Sequence, residues 1–179
     1  FPYVFYGWAN PAFSVLLLLS TTIDWVAGLV MAGTTPWSRE PIAVLPPDRP
    51  RNRRERLALL LSVTSNLSLL GFFKYFNFAV DSWNGIAGAL GIDAATLDIA
   101  LRVTLPLGIS FYTFQSMSYA IDVYRGEARA LRNFVDFACF VSMFPQLVAG
   151  PIIRFSEVAD QLANRTHTLA KFARGVAFF

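Results

Sequence analysis

Long apolar blocks alternate with polar connections along this chain, and the blocks are not alike. The first, Ala12 to Met31 (AFSVLLLLSTTIDWVAGLVM), is long enough to cross a hydrocarbon core of about 30 Å, which takes roughly 20 residues. Its ionisable group is Asp24. A carboxylate at that depth is costly, so it has to face protein or water and find a donor; the alternative is an Asp near a helix end, half in solvent. The second block, Leu57 to Val80 (LALLLSVTSNLSLLGFFKYFNFAV), starts uniformly apolar and then mixes aromatics with Asn66, Lys74 and Asn77. A lysine with a long stem reaches water from near an interface. The two blocks predict spanning helices at about 12–31 and 57–80. Tyr3, Tyr6 and Trp8 before the first, and Trp37 after it, fit interfacial aromatic belts.

The third block, Val103 to Ile121 (VTLPLGISFYTFQSMSYAI), is interrupted early by Pro106 and Gly108 and carries Ser110, Tyr112, Thr113, Gln115, Ser116, Ser118 and Tyr119. Polar groups at that density are tolerated at membrane depth only where they are buried in protein or line a wet cavity. The block is therefore a candidate wall of a passage. The fourth, Phe134 to Ile153 (FVDFACFVSMFPQLVAGPII), has Pro145, Gly150 and Pro151 in its second half, which breaks any straight helix there.

The connections carry the charge. Gly33 to Arg56 holds five of the ten prolines and six of the fifteen Lys and Arg, against three acids. It reads as a loop that stays out of lipid and lies on the cytoplasmic side by the positive-inside rule. A phosphate or anionic-lipid site at Arg51, Arg53, Arg54 and Arg56 is the sharper alternative. Asp81 to Arg102, with three acids and one arginine, reads as extracytoplasmic, with a short interfacial helix around ATLDIAL. Arg125, Arg129 and Arg132 precede the fourth block, and Arg154, Arg165, Lys171 and Arg174 come after it. Both flanks are cytoplasmic by the same rule, so the block is expected to enter and return on one side as a re-entrant pair, while the third block makes the inward crossing. A further helix begins near residue 168. No inverted repeat of the kind that marks many transporters is evident.

Composition agrees with this pattern. The 179 residues are 55% hydrophobic and 15% charged, against about 45–50% and roughly 25% in soluble domains, and the mean hydropathy is +0.47. The expected class is an all-α, polytopic membrane bundle with broken or re-entrant helices. The net charge of +3 is explained by loop topology and does not call for nucleic acid. A single cysteine, Cys139, excludes an internal disulfide and a cysteine metal cluster; within FVDFACFVSMF it reads as a buried free thiol. The start at Phe1 and the stop inside GVAFF predict a piece of a longer protein.

The segments LPLGISFYTFQSMSYAIDVYRG (105–126) and FPQLVAGPIIRF (144–155) resemble the signature segments of the membrane-bound O-acyltransferase family, most closely its alginate O-acetyltransferase branch. FYGWANPAFSVLLLLSTTIDWVAG and NLSLLGFFKYFNF are similar to the N-terminal spans of that branch. The resemblance implies that residues 1–179 are part of a multi-span domain with a tunnel through a thin centre. There an acyl group from cytoplasmic acetyl-CoA or an acyl carrier passes toward an acceptor on the other side. Further implications are a bacterial inner-membrane location and an extracytoplasmic acetyltransferase partner acting on an exopolysaccharide such as alginate. Acetyl-CoA is then a substrate; no permanent cofactor or metal is implied.

The family's catalytic histidine lies downstream of the matched segments, so no catalytic residue is expected here. His167, in NRTHTLAK between Arg165 and Lys171, reads as an ordinary loop or helix-start residue. The candidate tunnel-lining residues are Ser110, Gln115, Tyr119, Gln146 and Arg154. Gln115, Tyr119 and Gln146 equally suit interhelical hydrogen bonds, and Arg154 equally suits an anchor for the re-entrant element. Asp122 and Arg125, three apart, predict a local ion pair. The leading expectation is an O-acetyltransferase. The alternatives are a transporter with its site at the broken helices, and a noncatalytic scaffold of a polysaccharide-secretion complex.

Overall fold

A computed structural model describes residues 3, 7–8, 11–91, 104, 106, 108–143, 153–163 and 168–178, with backbone alone at 161–163. Among the described residues every regular element is helical. In chain order these are α1 (Pro11–Ala32), α2 (Arg53–Ala89), α3 (Ile109–Arg125), α4 (Phe134–Val141), α5 (Phe155–Ala163) and α6 (Leu169–Phe178). α1 and α2 are long and apolar enough to cross a membrane.

α2 begins four residues before the apolar block does, so Arg53–Arg56 are helical and the loop is 33–52. The cause is a capping box: Asn52 Oδ1 accepts the Arg53 N–H at 3.0 Å and Glu55 Oε2 accepts the Asn52 N–H at 3.0 Å. At its other end α2 runs on through Asp81, Trp83 and Asn84 to Ala89 and gives way at Gly91, whose φ is +68°. The change of hydropathy after Val80 is thus not a helix end, because polar residues without a proline do not interrupt the backbone ladder. The ATLDIAL segment lies outside the described residues.

α3 starts late because Pro106 and a left-handed Gly108 (φ +72°) precede it, and it extends to a second left-handed glycine, Gly126 (φ +80°). The Glu127 N–H returns to the Asp122 carbonyl at 2.9 Å, closing the helix end.

α1, α2 and α3 pack on one another, α1 antiparallel to α2, with α4 against α1 and, more lightly, α3, and α5 against α3. The apolar core gathers at the C-terminal half of α3. Tyr119 is fully enclosed, its ring centroid 4.4 Å from that of Phe137 and 4.8 Å from that of Phe155. The loop 33–52 folds back on this end: Leu45 is buried, Arg51 lies over the Tyr124 ring, and an Arg132 N–H donates to the Glu40 carbonyl. Cys139 is free but exposed. α4 turns Phe137, Ala138, Phe140 and Val141 inward, which leaves position 139 on the outer face, and this corrects the expectation of a buried thiol.

Candidate functional site

The most polar interior feature is a seam where α1, α2 and α3 meet, and Asp24 is its hub. On α1, i→i+4 spacing puts Ser20 and Asp24 on one face; on α2 the same spacing aligns Ser62 with Asn66, and α3 adds Ser116. Asp24 is wholly buried. Its Oδ1 accepts from Ser62 Oγ at 2.5 Å and from Asn66 Nδ2 at 2.9 Å. Its Oδ2 accepts from Asn66 Nδ2 at 2.8 Å and from the Ser116 hydroxyl. Asn66 is fixed in turn by Ser20 Oγ, which donates to its Oδ1 at 3.2 Å.

This set is donor-rich and contains no cation. A carboxylate that accepts from three side chains on two other helices has its lone pairs occupied and its orientation fixed. Chemically it is suited to locking the helix register rather than to taking a proton from a substrate. Among the described residues no group of three or more His, Cys, Asp or Glu is placed to hold a metal ion.

A second tier of polar contacts ties α3 to α4 and to the backbone that leads into it. Gln115 Nε2 donates to the Phe140 carbonyl at 2.8 Å, joining α3 to α4. Tyr119 Oη accepts the Leu131 N–H at 3.2 Å, and Trp25 Nε1 donates to the Leu131 carbonyl at 3.0 Å. The 131 backbone is thereby gripped from α3 and α1 together. Gly28 makes that grip possible, because a β-carbon there would lie 2.2 Å from the Tyr119 hydroxyl.

Asp122 does not pair with Arg125. Its Oδ2 accepts the Ser156 N–H at 2.9 Å in the first turn of α5, while Arg125 reaches Glu127 at 4.0 Å. A buried carboxylate gains more from the unpaired N–H groups of a helix start than from an exposed guanidinium.

Of the five candidate tunnel-lining residues, Gln115 and Tyr119 are buried and bonded to the backbone of Phe140 and Leu131. Ser110 is half-buried at the start of α3, and Arg154 is exposed just before α5. Gln146 lies outside the described residues, as do His167 and the 145–151 break. Ser62 and Asn66 are site residues that the tunnel-lining candidates read from the sequence do not include. Asn66 interrupts an apolar run, the same cost-of-burial signal that marks Asp24, but pairing the two requires the α1–α2 register.

Comparison with known proteins gives this architecture a family. The chain is 42% identical to the probable alginate O-acetylase AlgI of Pseudomonas syringae pv. tomato and 43% identical to that of Pseudomonas putida, in each case over 99% of its length. It is 30% identical over 91% of its length to the peptidoglycan O-acetyltransferase of Helicobacter pylori. It spans about a third of the length of these curated relatives, 31%, 33% and 31% respectively. No protein-family model and no solved structure matches it. On the strength of near-complete alignment to several acetylases, carried in part by the α1–α3 segments that build the seam, the chain belongs to the membrane-bound O-acyltransferase family, on its alginate O-acetylase branch.

Proposed function

We propose that the whole protein is a multi-pass, inner-membrane O-acetyltransferase that moves acetyl groups from cytoplasmic acetyl-CoA toward an exopolysaccharide such as alginate. The carrying observation is the 42–43% identity with alginate O-acetylases over nearly the entire chain. Residues 1–179 contribute scaffold to that reaction: the Asp24 seam holds α1, α2 and α3 in register, and α3 presents its hydroxyls and amides toward the protein interior.

The re-entrant reading of 134–153 belongs to the same proposal, and two features support it. α4 has eight residues, about 12 Å of helix against a core of about 30 Å. Both flanks of the block also return to one residue, since Tyr119 accepts from the Leu131 N–H and packs on Phe155. Ends that lie at the same end of α3 are what a block that enters and returns on one side requires.

The test is acetyl transfer from radiolabelled acetyl-CoA in membranes holding the full-length protein, with and without an Ala substitution at a histidine in a downstream apolar segment. Loss of transfer in the variant is the expected result. Unchanged transfer, or a full-length protein with no such histidine, removes the acyl-transfer reading.

A further inference from the structure

Between α1 and α2, on the side away from α3, runs an open groove of about 680 Å³. Its floor is small, set by the buried Ala27 and Ala58, and its walls are Leu19, Ile23, Val26 and Val30 on α1 and Leu57 and Leu61 on α2. Apart from the half-buried Ile23, the wall residues are exposed: Leu19 is 61% and Leu61 is 62% accessible. The one hydroxyl along it, Thr22 Oγ1, already donates to the Leu18 carbonyl at 2.7 Å. Nothing along the groove can therefore orient a polar ligand until its end, where Arg54 closes it.

Three properties define the occupant. It is a hydrocarbon chain, since the walls offer only apolar contact. It spans one leaflet, since Leu19 to Val30 is twelve residues of α1, a rise of about 16 Å, half of a core of about 30 Å. It ends in an anion, since Arg54 stands at the mouth beside Arg53 and Arg56; all three are exposed and, among the described residues, none is ion-paired. The neighbouring arginines are committed elsewhere, Arg49 to Glu55 and Arg51 to the Tyr124 ring.

We infer that the α1–α2 groove is a binding site for an anionic phospholipid of the leaflet that borders the 33–52 loop, with one acyl chain along Leu19–Val30 and the phosphate on Arg54. Basic clusters at the end of a spanning helix, and basic pockets between such helices, are the usual recognition elements for these headgroups. The inference rests on the membrane part of the proposed function and is independent of the acetyl-transfer part.

The experiment uses full-length protein in vesicles of mixed phosphatidylcholine and phosphatidylglycerol. A trace lipid with a diazirine on its acyl chain is added, either as the phosphatidylglycerol or as the phosphatidylcholine, and adducts are mapped by mass spectrometry. The expected result is groove labelling at Leu19–Val30 and Leu57–Leu61 that favours the phosphatidylglycerol probe. Arg54→Gln reduces that preference about fivefold, the weight of one basic residue near an anionic surface, whereas Arg54→Lys keeps most of it. Equal groove labelling by the two probes means ordinary boundary lipid and overturns the site. Labelling of the outer face at Leu67 and Phe78 with none in the groove means that another segment of the protein fills it, and also overturns the site. No adduct anywhere on α1 or α2 overturns the membrane reading together with the site, leaving acetyl transfer to its own assay.

Discussion

α3 and α2 dispose of their residues in opposite ways. α3 buries nine of its 17 residues, and among them are Thr113, Gln115, Ser116 and Asp122. α2 buries five of 37, namely Glu55, Ala58, Ser62, Asn66 and Ala87, while Leu57, Leu60, Leu61, Leu67, Phe72 and Phe78 face outward. In water this is an inverted arrangement, with polar and small groups inside and large apolar groups outside. It is the expected one where the surroundings are themselves apolar: burying leucine against lipid-like surroundings gains little, so polar groups and close approach of small residues hold helices together. The contrast separates two kinds of position, a seam where each polar atom has an assigned partner and a face where side-chain identity is interchangeable within apolar limits.

The largest test of that separation is the hub. Asp24→Ala leaves the Ser62 hydroxyl, the Asn66 amide and the Ser116 hydroxyl without their acceptor inside the bundle. At about 1 kcal/mol per orphaned donor, the loss is about 3 kcal/mol. Thermal unfolding of the full-length protein in micelles should show it as a marked fall in the midpoint. Asp24→Asn, which keeps an acceptor oxygen, should cost less than half as much. An Asp24→Ala midpoint equal to that of the parent protein would mean that the seam carries no register information.

Next is the close approach at Gly28. A methyl group there meets an aromatic ring held between Phe137 and Phe155, not a flexible chain end, with Tyr119 Cε1 and Cζ at 2.6 and 2.7 Å as well as the hydroxyl. Gly28→Ala should therefore cost about 1–3 kcal/mol, the range for overpacking a filled core. Tyr119→Phe in the same chain should restore only part of it, since the ring carbons remain. Full restoration in the same unfolding measurement would show that the hydroxyl alone is in contact and that α1 and α3 approach less closely than these distances require.

How far the sequence carries differs between the two kinds of position. The outward face is legible as apolar runs, and the apolar block places α1 within one residue at each end, because a run of leucines is a local property. Asp24 is legible as a residue in need of partners, from the cost of burying a charge. Its partners are not, since Ser62, Asn66 and Ser116 lie 38, 42 and 92 residues away and become neighbours only through helix packing. Asp122 shows the same limit. The i→i+3 rule offers Arg125, and the fold offers the start of α5, 34 residues on, with better geometry. The extension of α2 past Val80 escapes the sequence for a different reason: hydropathy reports the surroundings of a helix and not its hydrogen-bond ladder, so a change of surroundings reads as an end.

The smallest expected effect is on the outward face, and it is the one that decides what that face meets. Leu67 is 47% accessible on α2, one residue past the seam residue Asn66 and turned away from it. Leu67→Ala removes apolar surface that is not enclosed in the bundle, so it should change the unfolding midpoint in micelles by no more than about 0.5 kcal/mol. The informative partner is Leu67→Asp. At a lipid-exposed mid-helix position, exchanging Leu for Asp should cost about 3 kcal/mol in membrane insertion, visible as loss of the membrane-integrated fraction, and Leu67→Ala should leave that fraction unchanged. If both variants integrate normally and Leu67→Ala lowers the midpoint by as much as Gly28→Ala does, Leu67 is packed against protein. The outward face of α2 would then be a helix interface of the whole protein, and the contrast with α3 would be one of order of assembly rather than of solvent.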